Sequence, residues 1–289
     1  MEEAAAVIER SGSSIHYWTA GPERSPLVVF THDGLADHRM FDAQLATLWE
    51  AGYRTLRWDM RGHGRSQPLG KTPLTVRDLA DDLLAVLDAI TLGRPFCLVG
   101  QGLGGQVAQV VARWRPERAA ALVLVATAQV AERVPVRRRV GWWWSRARLR
   151  CRDDGWLRHR VARAAALRRS AQTYAFAATD PLSRRHLVEI LRATWLAAHP
   201  RPTYLEPSYP GTHYSSLAYV AAQPVLLLVG DHDAAGLRAA RRWSERDPRC
   251  ELVVVPYAGH RANQDNPTEF NHALVSFLAA HCPVPRGVR

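Results

Sequence analysis

The chain has 289 residues, of which 47% are hydrophobic, so it can bury a substantial core as one α/β domain with an insertion or as two domains. No segment reaches the roughly 18 apolar residues that a membrane-spanning helix needs, and the acidic beginning MEEAAAVIERSGSS does not resemble a secretion signal. The net charge is +11, yet the sequence carries no zinc-finger, basic-zipper or aromatic RNA-binding signature. We therefore expect a cytoplasmic protein with no membrane span and no nucleic-acid partner.

Short apolar runs rich in β-branched residues alternate with helical stretches, which is typical of a mostly parallel sheet with helices on both faces. Eight strands are predicted, at 7–9, 15–18, 27–31, 54–58, 96–100, 121–126, 225–230 and 251–256. The first two are separated by a short turn and should form an antiparallel hairpin, whereas the others should be parallel.

Amphipathic stretches predict helices between these strands, at 40–52, 74–93, 104–114 and 268–281. In the second of them the apolar residues share one face, which leaves Asp81, Asp82 and Asp88 to water. The sequence thus predicts an α/β fold whose helices each bury one side.

The alternation of strands and helices stops between residues 129 and 222, which we interpret as a helical cap inserted into a core formed by residues 1–128 and 223–289. This cap contains 17 arginines but only six acidic residues, a difference equal to the whole net charge. Solvated helix faces would explain this composition, and so would docking to an acidic carrier protein or an anionic surface. The three consecutive tryptophans at 142–144 suit a pocket lid, an interfacial segment or ordinary packing against the core.

The four cysteines, Cys97, Cys151, Cys250 and Cys282, are widely separated and form no C-x-x-C pair. We therefore expect reduced thiols and no zinc site. The glycine stretch GLGG is too short for a dinucleotide fingerprint, and the sequence offers no other cofactor motif, so neither a metal nor an organic cofactor is expected.

Five motifs in a fixed order carry a resemblance to a known family. They are VVFTHDG after the third predicted strand, DMRGHGRS after the fourth, LVGQGLGG after the fifth, LLLVGDHDAAG after the seventh and YAGHRANQDNP after the eighth. Together they resemble the α/β-hydrolase superfamily, and the resemblance covers nearly the whole chain. It implies an α/β-hydrolase fold with the cap inserted before the strand that carries the catalytic acid.

The resemblance also implies roles for particular residues. It places the base at His260 and its acid at Asp233, with Asp231 as a second choice. The backbone N–H of Leu103 and that of Gly34 would form the oxyanion hole, although the family's usual His-Gly pair reads His32-Asp33 here.

The nucleophile of this family sits in the turn LVGQGLGG, where this chain has Gly102. Glycine cannot form an acyl-enzyme, Cys97 lies inside the apolar strand, and Ser66 is better suited to holding its own turn, so covalent serine hydrolysis is excluded. Loss of the serine side chain should open space above Gly102 for water or substrate. His32, Asp33 and Gln101 are the candidates for lining that pocket.

Two hypotheses follow. In the first, the chain is an enzyme in which the His260–Asp233 dyad and the oxyanion hole act on a small carbonyl compound. The reaction would be hydrolysis of an activated ester, lactone or thioester, or proton abstraction in a lyase or cyclase reaction. In the second, the chain is a catalytically inactive ligand-binding or scaffold protein, because glycine relieves strain at a turn no longer needed for chemistry.

Overall fold

A computed structural model describes residues 2–34, 36–70, 74–91, 93–127, 129 and 221–285. Apart from Gln129, Ala221 and Ala222, the predicted cap lies outside the described residues. The eight predicted strands are all present, and five of them differ from the predicted bounds by one to three residues at an end. They are β1 (Ala4–Arg10), β2 (Ser13–Ala20), β3 (Leu27–Thr31), β4 (Arg54–Trp58), β5 (Phe96–Gln101), β6 (Ala119–Val125), β7 (Val225–Gly230) and β8 (Cys250–Val255).

The strands form one sheet in the order β1-β2-β4-β3-β5-β6-β7-β8. β2 is antiparallel to both β1 and β4. The remaining pairs, from β4–β3 to β7–β8, are all parallel. The prediction of a mostly parallel eight-stranded sheet of the α/β-hydrolase type is thus confirmed.

Helices cover both faces of this sheet, as predicted. The described helices are α1 (Asp42–Glu50), α2 (Val76–Thr91), α3 (Leu103–Trp114), α4 (Ala234–Ser244), the short α5 (Ala262–Asp265) and α6 (Pro267–His281), with a 3₁₀ turn at His38–Phe41 before α1. Buried side chains of α2, α3 and α4 pack on one face of the sheet. Those of α1, α5 and α6 pack on the other.

Alternation along the central strands supplies both layers of the core. In β5, Leu98 faces the first layer, whereas Cys97 and Val99 face the second. Every residue of β5 is buried, as expected for a strand that is covered on both sides. This covered centre fixes the register of the strands that carry the candidate site.

Two sequence predictions about individual side chains are wrong. Asp82 does not face water: it is fully buried and its Oδ2 accepts a hydrogen bond of 2.9 Å from Arg61 Nε, in the turn after β4. Cys97 and Cys282 are not reduced thiols but form a disulfide between β5 and the end of α6, 185 residues apart in sequence. Cys250 is a free, buried cysteine.

Ser66 holds its turn, as predicted. Its hydroxyl donates to the carbonyl of Asp59 at 2.6 Å and accepts from the N–H of His16 at 2.9 Å. Among the described helices, none has the length and apolar character needed to cross a bilayer.

The parallel strands all end at the same edge of the sheet, where the loops after β3, β5, β7 and β8 meet. In the pairing of β3 with β5, Thr31 lies opposite Gly100. Asp33 and Gly102 each follow two residues later, so the register alone brings these two positions side by side.

Candidate active site

The turn between β5 and α3 has the tight geometry that its glycines predict. Gly102 adopts φ +52° and ψ −112°, a conformation that favours glycine, and α3 begins at the next residue. A Cβ on Gly100 would lie 2.4 Å from the carbonyl oxygen of Gly104, so only glycine lets the strand and helix approach this closely.

The structure brings His260 and Asp233 together at the ends of β8 and β7. His260 Nδ1 lies 2.7 Å from Asp233 Oδ2, while the other oxygen of Asp233 accepts the N–H of Gly236 at 3.0 Å and caps α4. The carboxylate therefore fixes the imidazole orientation and is itself fixed by a helix N-terminus. Both side chains are largely buried.

Asp231, the second choice for the acid, has a different position. Its two carboxylate oxygens accept the backbone N–H groups of Tyr257 and Ala258, each at 3.0 Å. Because these residues precede His260, Asp231 supports the histidine loop but does not contact the ring in any described hydrogen bond.

Two further side chains hold the same loop. Asp265 accepts the N–H of Gly259 at 2.8 Å, and Gln101 Nε2 donates to the carbonyl of His260 at 2.7 Å. Gln101 is fully buried, so it ties the glycine turn to the histidine loop and does not line an open pocket. Its sequence assignment as a pocket residue is therefore revised.

The space above Gly102 is filled, contrary to the sequence expectation. A Cβ built on Gly102 would lie 2.0 Å from Asp33 Oδ1 and 2.6 Å from Asp33 Cγ. The same Oδ1 accepts the N–H of Leu103 at 3.0 Å. The carboxylate of Asp33 therefore fills the space beside Gly102, where the resemblance places the nucleophile, and binds the first expected oxyanion donor.

Asp33 also faces the base. Its Oδ2 lies 3.7 Å from His260 Nε2, the nitrogen not engaged by Asp233. Burial alone would raise the pKa of Asp33, but interactions with His260, the charge of Arg261 and the N–H of Leu103 outweigh it and hold this pKa below its ordinary value. Asp33 is thus an anion at neutral pH, and the imidazole lies between two carboxylates.

The backbone around Asp33 is held by its neighbours. His32 Nδ1 lies 2.7 Å from the carbonyl oxygen of Asp33, and His32 Nε2 accepts the N–H of Met60 at 2.9 Å. Burial lowers the pKa of His32, which suits this neutral ring with one donating and one accepting nitrogen. His32 is fully buried, so we assign it to holding the loop instead of to the pocket. Gly34, the second expected oxyanion donor, lies buried in the turn directly after Asp33.

One other group has the side chains of a metal site. In the described part of the chain, potential ligand atoms of Asp37, His38 and Asp59 lie within 4.8 Å of one another. However, Asp59 Oδ1 already lies 2.8 Å from both the backbone N and the Nδ1 of His38, and Asp37 Oδ1 accepts the N–H of Arg39 at 3.0 Å. These carboxylates fix the 3₁₀ turn and the loop after β4.

Sequence reasoning placed the dyad but missed the contact between Asp33 and the glycine turn. The signal was available in two residues of the resemblance: aspartate stands where the family's usual pair has glycine after His32, and glycine stands at position 102, where the resemblance places the nucleophile. Read together with the neighbouring positions of β3 and β5, they place the carboxylate of residue 33 beside the bare position 102.

The chain is similar in sequence and in structure to known hydrolases. Residues 28–273 match the model of the "Alpha/beta hydrolase family". The 3-oxoadipate enol-lactonase 1 of Acinetobacter baylyi is 34% identical over 97 residues, which cover 33% of this chain and 35% of that protein. The pimeloyl-(acyl-carrier protein) methyl ester esterase of Nitrosomonas europaea is 28% identical over 267 residues, or 89% of this chain and 97% of that protein. A hydrolase structure from Pseudomonas aeruginosa aligns with a TM-score of 0.71 at 26% identity, covering 95% of this chain and 98% of that one.

Proposed function

Because the chain belongs to the alpha/beta hydrolase family, we propose that it hydrolyses a small-molecule substrate without a covalent serine, with His260 moving the proton and Asp233 orienting its ring. The observation that carries this proposal is the 2.7 Å contact between His260 Nδ1 and Asp233 Oδ2. It directs Nε2 toward the glycine turn, where a reacting water or leaving group can exchange a proton with it.

The relatives favour hydrolysis over the lyase or cyclase reaction. Those compared above are a lactonase, an esterase and a hydrolase, so esters, lactones and thioesters are the first carbonyl substrates to test. General base catalysis contributes typically about 10²–10⁴-fold, which gives useful rates on reactive compounds even without a nucleophilic serine.

A catalytically inactive binding protein is the second candidate, and one observation favours it. Asp33 accepts the hydrogen bond of the Leu103 N–H and pairs with Nε2 of His260, the nitrogen that would act on substrate. If this carboxylate only closes the site, the fold has kept the dyad without its chemistry.

The remaining proposals concern the binding partner and the cellular location of the protein. The arginine-rich cap at 129–222 suits an acidic carrier protein, and the esterase relative acts on a carrier-bound substrate by its name. Carrier binding that persisted undiminished at high salt would rule out an electrostatic contact, since salt screens exposed charges. A cytoplasmic location stays a proposal, and the Cys97–Cys282 disulfide speaks against it, because structural disulfides are rare in that compartment.

The function is tested with a panel of esters, lactones, thioesters and strained cyclic ethers. His260→Ala and Asp233→Asn should each lower kcat/KM on any turned-over substrate by about 10²–10⁴-fold. His232→Ala is the matched control, because this nearby histidine is partly exposed and is 3.8 Å from Asp231. Full activity in both dyad variants, or no turnover of any compound by the wild type, would contradict the proposal.

A further inference from the structure

The glycine turn and Asp33 are complementary. In the described part of the chain, the three atoms nearest to a Cβ built on Gly102 all belong to Asp33, whose Oδ1, Cγ and Oδ2 lie 2.0, 2.6 and 3.2 Å away. A larger residue at position 102 would collide with this carboxylate. Glycine at 102 is therefore what allows Asp33 to reach the reacting position.

We propose that Asp33 is the nucleophile of this site, supplied by the loop after β3 instead of by the turn after β5, and that its substrate is an epoxide. The inference rests on the proposed function, because it assigns the second half of the reaction to His260 and Asp233. The observation that supports it is the position of the Asp33 carboxylate between Leu103 N–H and His260 Nε2.

Asp33 has the properties of a prepared nucleophile. Its backbone carbonyl accepts the N–H of Ala36 at 3.2 Å as well as the contact from His32, so the side chain projects from a fixed base. Oδ1 is tied to Leu103 N–H, which leaves Oδ2 as the attacking atom. Because its lowered pKa keeps Asp33 ionised, no separate base is needed to activate it.

The chemistry of a carboxylate selects the substrate class. In a tetrahedral adduct of an ordinary ester, the carboxylate is a much better leaving group than the alkoxide, so it would be expelled again without net reaction. Attack on a saturated carbon has no such adduct, and ring strain makes the C–O bond of an epoxide reactive. Asp33 therefore suits an epoxide better than an ester or lactone.

In the first step, Asp33 Oδ2 forms a bond to one epoxide carbon and the C–O bond of the ring breaks. The released oxygen takes a proton from Nε2 of the His260 imidazolium, giving a hydroxyalkyl ester of Asp33 and neutral imidazole. An imidazolium is stabilised at this place by carboxylates on both sides, Asp33 at 3.7 Å and Asp233 at 2.7 Å.

In the second step, His260 Nε2 takes a proton from water as that water attacks Cγ of the Asp33 ester. The negative charge that develops on Oδ1 already faces the N–H of Leu103, which acts as the oxyanion donor. Collapse breaks the bond between Cγ and Asp33 Oδ2, so Oδ2 leaves in the diol, which takes the remaining proton of the water. The oxygen of the water stays in the carboxylate. Epoxide and water become diol, and the carboxylate and imidazolium are restored.

The test traps the ester. His260→Gln keeps an N–H donor but cannot accept the proton of water, so it should accumulate a covalent adduct with styrene oxide. Phenethyl bromide serves as a second probe, because its leaving group needs no proton. Intact mass should rise by one whole molecule of styrene oxide, or by the phenethyl group alone after bromide leaves, and peptide mapping should place the adduct on Asp33. Asp33→Asn in the same background should prevent the adduct, whereas Asp42→Asn, at an exposed carboxylate, should leave it unchanged.

A single turnover of wild-type protein in heavy-oxygen water provides the complementary readout. The heavy atom should appear in the peptide containing Asp33, since water attacks Cγ. No adduct with either probe, an adduct on another residue, or a label only in the diol would overturn the nucleophile. If Asp33→Asn retains hydrolysis that His260→Ala abolishes, the inference fails while the proposed function stands. If His260→Ala remains fully active, the proposed function itself fails.

Discussion

The competition between Asp33 and residue 102 for one position predicts the outcome of restoring the serine. In Gly102→Ser, the new Cβ would lie 2.0 Å from Asp33 Oδ1, so the carboxylate must leave and the Leu103 N–H bond must break. Losing a hydrogen bond to a charged group costs about 1.5–3 kcal/mol. Placing a side chain at φ +52° costs about 1–3 kcal/mol more. We therefore expect the free energy of unfolding to fall by about 2.5–6 kcal/mol.

The double variant Gly102→Ser/Asp33→Gly removes the collision and restores both family residues. It should be more stable than the sum of the two single effects predicts, by a coupling energy of about 0.5–3 kcal/mol. It also frees Leu103 N–H for an oxyanion, a donor whose presence is worth about 10²–10³-fold in rate. We expect hydrolysis of p-nitrophenyl acetate at least about 10²-fold faster than in Gly102→Ser, with a burst of nitrophenol.

Urea unfolding and stopped-flow absorbance measure the two effects. Gly102→Ala/Asp33→Gly is the control, because it relieves the same collision but has no hydroxyl, and it should show no burst. If Gly102→Ser alone were as stable and as active as the double variant, Asp33 would not hold the position we assign to it, and both the site geometry and the nucleophile would be refuted.

Three further predictions concern the rest of the structure. Asp82→Asn should lower the free energy of unfolding, measured in urea, by about 3–5 kcal/mol, because it leaves the Arg61 guanidinium buried without its carboxylate. The control Asp88→Asn, at an exposed site on the same helix, should change it by less than about 0.5 kcal/mol. A similar loss in both variants would contradict the buried pair. Because the pKa of Asp33 is lowered in the folded state, its ionised form stabilises the fold above pH 3.8, and this contribution is lost as the pH falls toward the folded pKa. The stability difference between wild type and Asp33→Asn should therefore shrink below pH 3.8. A constant difference down to acid unfolding would refute this linkage. Alkylation of the unfolded protein without reductant should modify Cys250 but not Cys97 or Cys282, and mapping of modified Cys97 would exclude the disulfide.

The sequence predicted the sheet well because its signal is local. A strand buried on both sides must be a short apolar run, and β3, β4 and β7 begin and end where those runs do. The dyad was predictable through the resemblance, since His260 and Asp233 follow strand ends in recognisable loops. These features depend on residues close together in the chain.

The errors concern partners that are distant in sequence. The helical period around Asp82 carried no sign of Arg61, which approaches from the turn after β4 and draws the carboxylate into the core. Likewise, the spacing of Cys97 and Cys282 says nothing about α6 crossing the second face of the sheet. The space above Gly102 was expected to be open because the side chain that fills it belongs to another loop.

The ends of β3 and β5 are neighbours, so the same location in the site is within reach of side chains from two different parts of the sequence. Two separate backbone segments reach this point, and either can deliver a functional group while the histidine loop stays anchored through Asp231, Asp265 and Gln101. If Asp33 acts as we propose, the fold exchanges a hydroxyl on one segment for a carboxylate on the other without rebuilding the sheet. Only two positions, 33 and 102, then decide which segment supplies the reactive group.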